Sequence, residues 1–527
     1  MEGFFCQFPR TLWFDVVDIQ GDLSSMTVRL LPSLSRLARF ILPTIILASA
    51  ARLAYTNLGQ YDPSYDAGVY LESARMMRRG YPLYQVIFDS QPPLWLMLVS
   101  LSFHCFGESV LAGQLVTATA GLVTVAATMT ATAQLGGWSG GLIAGVLVML
   151  SPLALKWSRI VTADLPSVAF AAVGMALAAR YVPSGRRPWL IAASLATTCS
   201  VLVKLPGLYT FPALGLMVTA RWRREPALNY RRLARAVAWD SLIISGVFAS
   251  ATLTVMLIMG VGDVWNQVVT FHSAARAAFP SMAIGQKCRL MLGFADGERL
   301  LAYAAPFAVL SVLGGLEGLV PLLWAFCTFI GLLYHRPLFE QHMVALIPPI
   351  TMAAGVGWTQ FWKWSRALLE WSRRENSLAG SVIGIACVLG ISVGILILAE
   401  QLRIACTEAI AHEAILQAAA DSPDLKLAKL IAERTRPDDV ILTDAQGVAF
   451  LAQRDVPPEM TDTSFVRIAT RYITAHEVIS VSERHHVRAV LLWTGRLNSM
   501  PEVARWAADH FPHQESFGGG QVLYLPQ

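Results

Sequence analysis

The sequence predicts a mainly α protein, a polytopic membrane helical bundle of about 11–12 spans with a small C-terminal α/β domain outside the membrane. Three observations lead there. The 527 residues are 55% hydrophobic and only 15% charged, against roughly 25% charged in ordinary soluble domains. The apolar residues come in uncharged blocks such as Ser241–Gly260 and Ser381–Ala399, long enough to cross a hydrocarbon core of about 30 Å. After residue 400 the pattern changes to short β-rich runs separated by helical ones.

A block of this kind must be helical in lipid, because each backbone amide needs a partner within the segment. The expected spans are 37–56, 92–106, 110–133, 138–155, 164–180, 188–203, 205–220, 237–260, 299–314, 318–334, 342–359 and 379–400. Arg29, Arg36 and Arg39 cluster at the start of the first span, and basic connectors lie at Arg180–Arg187, Arg221–Arg235 and Lys363–Arg374. The positive-inside rule places all four in the cytoplasm. That puts 57–91, 261–298, 335–342 and everything after 400 outside, with Lys204 at the outer tip of a hairpin. The stretch 92–155 must then cross an even number of times although it holds three apolar peaks, so one of the three is not a simple crossing. The protein is expected in the cell membrane with its chemistry on the extracytoplasmic face.

Three regions are expected: an N-terminal extension at 1–28, with Met26 as a possible start, a membrane module at 29–400 and a soluble domain at 401–527. In the last, Asp438–Asp444 reads as a strand entering a loop, Val487–Trp493 and Gln521–Leu525 as further strands, and Leu425–Arg434 as a helix. The seven cysteines are scattered singly, with neither metal spacing nor a disulfide framework. The small net charge of +5 sits in topology-setting clusters and makes no case for a nucleic-acid partner.

The first external loop, Tyr61–Pro93, holds the candidate chemistry. From Asp66 its pattern is helical. Ala67, Tyr70, Leu71, Ala74 and Met77 share an apolar face, Glu72, Arg75 and Arg79 are expected to face water, and Gly80 is a stop. Such a helix should lie along the membrane surface. Asp66 suits a helix N-terminus as a simple cap. A second isolated acid, Asp164, opens another apolar helix on the same face, and acids at the edge of a span usually serve function.

At this point a family resemblance appears. Tyr65-Asp66, Gly80-Tyr81-Pro82-Leu83-Tyr84, Gln91-Pro92-Pro93 and Phe106-Gly107 resemble the start of GT-C membrane glycosyltransferases, the groups around protein O-mannosyltransferases and the lipid A aminoarabinose transferase. Ser151-Pro152, Ser158-Arg159 and Asp164-Leu165-Pro166 resemble that family's second motif, and Pro337–His342 with Pro348-Pro349 a later feature. Two positions depart from the family: Ala67 where it has Glu, and Gln91 where it has Lys. The likeness covers 57–220 well and is general in hydropathy to 400.

The resemblance implies transfer of a sugar from a polyprenyl-phosphate donor to a hydroxyl acceptor, with inversion, inside a membrane of which lipids are constant partners. An attacking hydroxyl needs a base, and Asp66 is expected to be that base; Asp164 would orient it or the acceptor. The leaving phosphate needs cationic support, for which Lys204, Arg159, Arg336 and His342 are candidates. Tyr70, Arg75, Tyr84, Asp89 and Gln91 are expected to contact substrate, and His272, with Arg276, to gate the acceptor. The resemblance assigns no certain cofactor. A divalent cation is compatible with two acids, and Ala67 argues against a tight site. The competing readings are a transporter or lipid flippase, against which no inverted repeat is visible, and a non-catalytic relative that binds glycolipid.

Overall fold

A computed structural model of the chain describes residues 24–61, 64–225, 229–375 and 422–526, with scattered helical positions between 382 and 407. The extension to residue 23, Asp62, most of the expected span 379–400 and residues 408–421 lie outside the described residues. The chain divides into two units, Met1–Ile45 and Ile46–Gln527. The first contributes the helical residues 24–45. The first apolar helix runs from one into the other, and the rest of the described chain belongs to the second.

Among the described residues, five helical stretches are long and apolar enough to cross a membrane: Leu37–Tyr55, Val110–Gly136, Asp164–Ser184, Tyr230–Met259 and Arg299–Tyr334. Leu94–Phe106, Trp138–Met149 and Arg187–Val203 are shorter apolar helices. The stretch 92–155 is thus one long helix flanked by two short ones. Leu94–Phe106 has 13 residues and rises only about 20 Å. Gly137, with φ +98°, turns the chain between the long helix and Trp138–Met149, because glycine accepts that conformation without a Cβ clash. The expected span at 205–220 is a 3₁₀ turn, Leu205–Thr210, followed by the helix Phe211–Arg223.

The helix ends are sorted by charge. Asp164, Lys204 and Leu205 mark one end of three consecutive helices. At their other ends Arg187 approaches Asp240 at 3.8 Å and Arg221 pairs with Glu225 at 2.8 Å. Arg224 pairs there with Glu317.

The C-terminal region forms a four-stranded sheet, β1 (Ile441–Thr443), β2 (Ala489–Leu492), β3 (His513–Gly518) and β4 (Gln521–Leu525), in the order β1-β2-β4-β3. β1 and β2 are parallel and the other pairings antiparallel. Leu442, Val490 and Leu492 feed one core, while Ile441, Ala489 and Leu491 feed another, as the two-residue period of a strand dictates. Asp444 follows β1 and accepts hydrogen bonds from the backbone N–H groups of Trp493, Thr494, Arg496 and Leu497 at 2.7–3.1 Å. One carboxylate therefore shapes the whole loop after β2.

The helix Tyr65–Arg78 lies against this domain, and here one expectation is corrected. Glu72 and Arg75 do not face water; they are 0% and 3% exposed. Arg75 donates to Glu72 at 3.1 Å and to the Phe450 and Arg454 carbonyls at 2.8 and 3.3 Å. Its guanidinium stacks on the Phe450 ring. The helix period marks that face as polar; it cannot reveal that the C-terminal region covers it. Arg79 stays half exposed and pairs with Asp455 at 2.9 Å. The contact is close enough that a Cβ on Gly68 would stand 2.4 Å from the Gly447 nitrogen.

This buried face titrates. Loss of water pushes the Glu72 carboxyl up to about 7, against the pull of Arg75. Its folded value exceeds that of an exposed glutamate, so the docked form keeps a proton that the undocked form releases. Docking is then strongest at acid pH and weakens as pH rises through about 7. We expect the thermal stability of the protein in detergent to fall between pH 5.5 and 8 by roughly 1–3 kcal/mol, and Glu72→Gln to flatten that slope. An unchanged slope in the variant would assign the titration elsewhere.

Candidate active site

A cavity of about 390 Å³ opens where the helix Tyr65–Arg78, the loop Asp89–Gln91, the 3₁₀ turn after Lys204, the helix Phe271–Ala278, the loop 334–342 and the C-terminal domain meet. A larger apolar groove of about 720 Å³ lies elsewhere, between Leu98, Val116, Phe170 and Leu195. Among the described residues no Asp, Glu, His, Lys or Arg lines it, and the smaller, polar cavity is the candidate site.

Asp66 lines it from the first turn of its helix. Gln341 donates to Asp66 Oδ2 at 3.1 Å. Burial raises the Asp66 carboxyl above its ordinary range; Lys204 opposes the shift, and Asp164 and Asp462 add to it. A carboxylate lifted in this way is a better proton acceptor. Lys204 donates to Asp164 Oδ2 at 2.7 Å, with both side chains nearly fully buried. Lys204 lines the cavity directly, and Asp164 lies behind it in a small chamber shared with His342 and Thr328.

The cations of the cavity are Lys204, Arg276 and Arg336. The Arg336 Nε is buried with no hydrogen-bond partner among the described residues. The histidines differ. Burial pulls His342 well below its ordinary value, with Lys204, His335 and His272 adding to the shift, and His335 falls to about 3. His342 Nδ1 accepts from the Phe339 N–H at 3.1 Å, which leaves the proton on Nε2. Neutral His342 and His272 thus serve as hydrogen-bond partners and not as charges.

Of the residues singled out in the sequence, Asp66, Tyr70, Asp89, Gln91, Lys204, His272, Arg276, Arg336 and His342 share this one cavity. Three lie off it. Arg75 is committed to the domain contact. Tyr84, with φ +67°, donates through its hydroxyl to the Gln91 carbonyl at 2.7 Å and braces that loop from behind. Arg159 donates to the Leu53 carbonyl at 2.6 Å and ties the end of the first span to the second motif. In each case the side chain is spent on backbone carbonyls, and spacing along the sequence carries no trace of such partners. Asp89 is held by the Gln91 N–H at 2.9 Å, and burial pushes its carboxyl well up.

The crystal structure of ArnT from Cupriavidus metallidurans bound to undecaprenyl phosphate matches 91% of this chain and 97% of its own, with a TM-score of 0.62 at 16% identity. The chain has the GT-C fold. The apo crystal structure of the same protein matches 95% of this chain and 98% of its own, with a TM-score of 0.59 and 16% identity. A profile of the dolichyl-phosphate-mannose-protein mannosyltransferase family matches residues 90–249. No curated protein matches the chain.

Within this GT-C fold part of the wall comes from residues with no signal in the sequence. Asp462, Ser464 and Val466 enter from the C-terminal domain. Phe88, Phe271 and Tyr472 form an aromatic cluster with centroids 5.0–6.1 Å apart that joins the domain to both loops. Gln341, the hydrogen-bond partner of Asp66, was also passed over. Asp462 sits 396 positions from Asp66 in an unremarkable Thr-Asp-Thr-Ser run, and only the folded chain brings the two together.

Proposed function

We propose that the protein is an integral membrane glycosyltransferase that moves a sugar from a polyprenyl-phosphate donor to a hydroxyl acceptor. The observation that carries this reading is the pairing, in one cavity of a GT-C fold, of a buried carboxylate with a raised proton affinity and the cations Lys204, Arg276 and Arg336. Asp66 takes the hydroxyl proton as the oxygen attacks the anomeric carbon. The sugar–phosphate bond breaks on the opposite side, with inversion, and the phosphate leaves as an anion supported by Lys204, Arg336 and Arg276. Asp164 holds the Lys204 ammonium in place. The solved ArnT structure that matches the chain holds undecaprenyl phosphate, and the profile that matches 90–249 describes a dolichyl-phosphate-mannose enzyme; both support a lipid-phosphate donor. The site opens at the end of the bundle opposite Arg187, Arg221 and Arg224. With those basic ends in the cytoplasm, the reaction takes place on the extracytoplasmic face of the cell membrane.

The test uses detergent, which removes the two compartments that a transporter or flippase needs. Membranes of cells lacking the protein are solubilised as a source of donor and acceptor, and purified protein is added. A new glycan or glycolipid mass, seen by mass spectrometry, is the expected result. Absence of any covalent product, together with protein-dependent movement of labelled lipid across vesicles, would replace the transferase reading with transport.

A further inference from the structure

The C-terminal domain adds three residues to the cavity lining, and among the described residues Asp462 is the charged one. Its carboxylate is held in a fixed attitude. Oδ1 accepts from the Ser464 N–H at 2.7 Å and from the Tyr65 hydroxyl at 3.1 Å. That hydroxyl in turn accepts from the Thr463 N–H at 2.9 Å. Tyr65 is clamped from its other side by Arg496, whose guanidinium lies 3.5 Å from the ring centroid. Arg496 belongs to the loop that Asp444 organises. Oδ2 of Asp462 carries no hydrogen bond among the described residues and belongs to a side chain on the cavity wall.

We propose that Asp462 binds the acceptor, its free oxygen receiving a hydrogen bond from a hydroxyl of a polyhydroxylated, sugar-like acceptor that lies beside Asp66. The inference rests on the transferase reading above. A carboxylate repels the donor phosphate, which has Lys204, Arg276 and Arg336 to bind it. It attracts a neutral group that donates hydrogen bonds. Asp66, which must meet the attacking hydroxyl, precedes in its helix the residues packed on this domain. The domain therefore selects what is glycosylated, while the membrane module holds what is delivered.

The experiment compares wild type, Asp462→Asn, Asp462→Glu and Lys204→Ala. One arm measures binding of undecaprenyl phosphate to the purified proteins. The other measures, by mass spectrometry, the product formed at limiting acceptor in the solubilised-membrane assay. We expect Asp462→Asn to bind undecaprenyl phosphate within about threefold of wild type and to lose at least about tenfold in product. A large excess of acceptor should restore most of the loss, and Asp462→Glu should recover part of it, which a merely structural role would not allow. Wild-type product levels in Asp462→Asn, or a loss of undecaprenyl phosphate binding as deep as in Lys204→Ala, overturn the assignment alone. A wild-type protein that yields no product overturns the transferase reading and this inference with it.

Discussion

Replacing Asp66 by asparagine is expected to lower sugar transfer by about 100- to 10,000-fold, the usual contribution of a positioned general base. The two side chains have the same shape, and the asparagine carbonyl can still accept the hydrogen bond that Gln341 gives to Asp66 at 3.1 Å. Folding and undecaprenyl phosphate binding should therefore survive, and the loss should appear in the rate. The pH profile adds a second signature. Burial raises the Asp66 carboxyl, so the protonated, inactive form persists to higher pH than for an exposed aspartate. Wild-type transfer should rise with pH through a limb above the ordinary carboxylate range, and the residual rate of Asp66→Asn should lack that limb. Full activity in the variant would remove Asp66 from the mechanism.

The second large effect falls on stability and binding together. Lys204 and Asp164 form a buried pair at 2.7 Å. Removing one partner strands a charge, which typically costs about 3–5 kcal/mol. Lys204→Ala should lower the thermal midpoint in detergent sharply and weaken undecaprenyl phosphate binding. The double variant Lys204→Ala, Asp164→Asn separates the two consequences. It leaves no stranded charge, so most of the stability should return; it still lacks the cation, so the donor affinity should not. Recovery of both would make the pair purely structural.

Much of the fold was legible because the signals are local. Apolar length marks a span, and the buried runs Ile441–Thr443 and Ala489–Leu492 read as strands because both faces are apolar. β3 was missed because it is an exposed edge strand of mostly polar residues, His513–Gly518, with no alternation to betray it. The candidate site was legible in part for the same reason. Asp66, Asp164 and Lys204 are isolated charges at the borders of apolar blocks, and such charges stand out. What was lost is what depends on distant partners. Glu72 and Arg75 look like solvated residues until Phe450 and Val456 cover them. Arg159 looks like a phosphate ligand until the Leu53 carbonyl claims it. Asp462 looks like any loop aspartate until Tyr65 reaches it.

The contact between Arg75 and Phe450 spans 375 positions of chain. At the usual pace of about 5–20 residues per second, the ribosome needs roughly 20 to 75 s to supply the partner. Through that interval Glu72 and Arg75 lack the Val456 and Phe450 backbone partners that they have in the finished fold. The nascent membrane module is therefore complete in outline before it is complete in chemistry. A chain that stops short of residue 450 would insert and pack its early spans, yet hold no finished pocket.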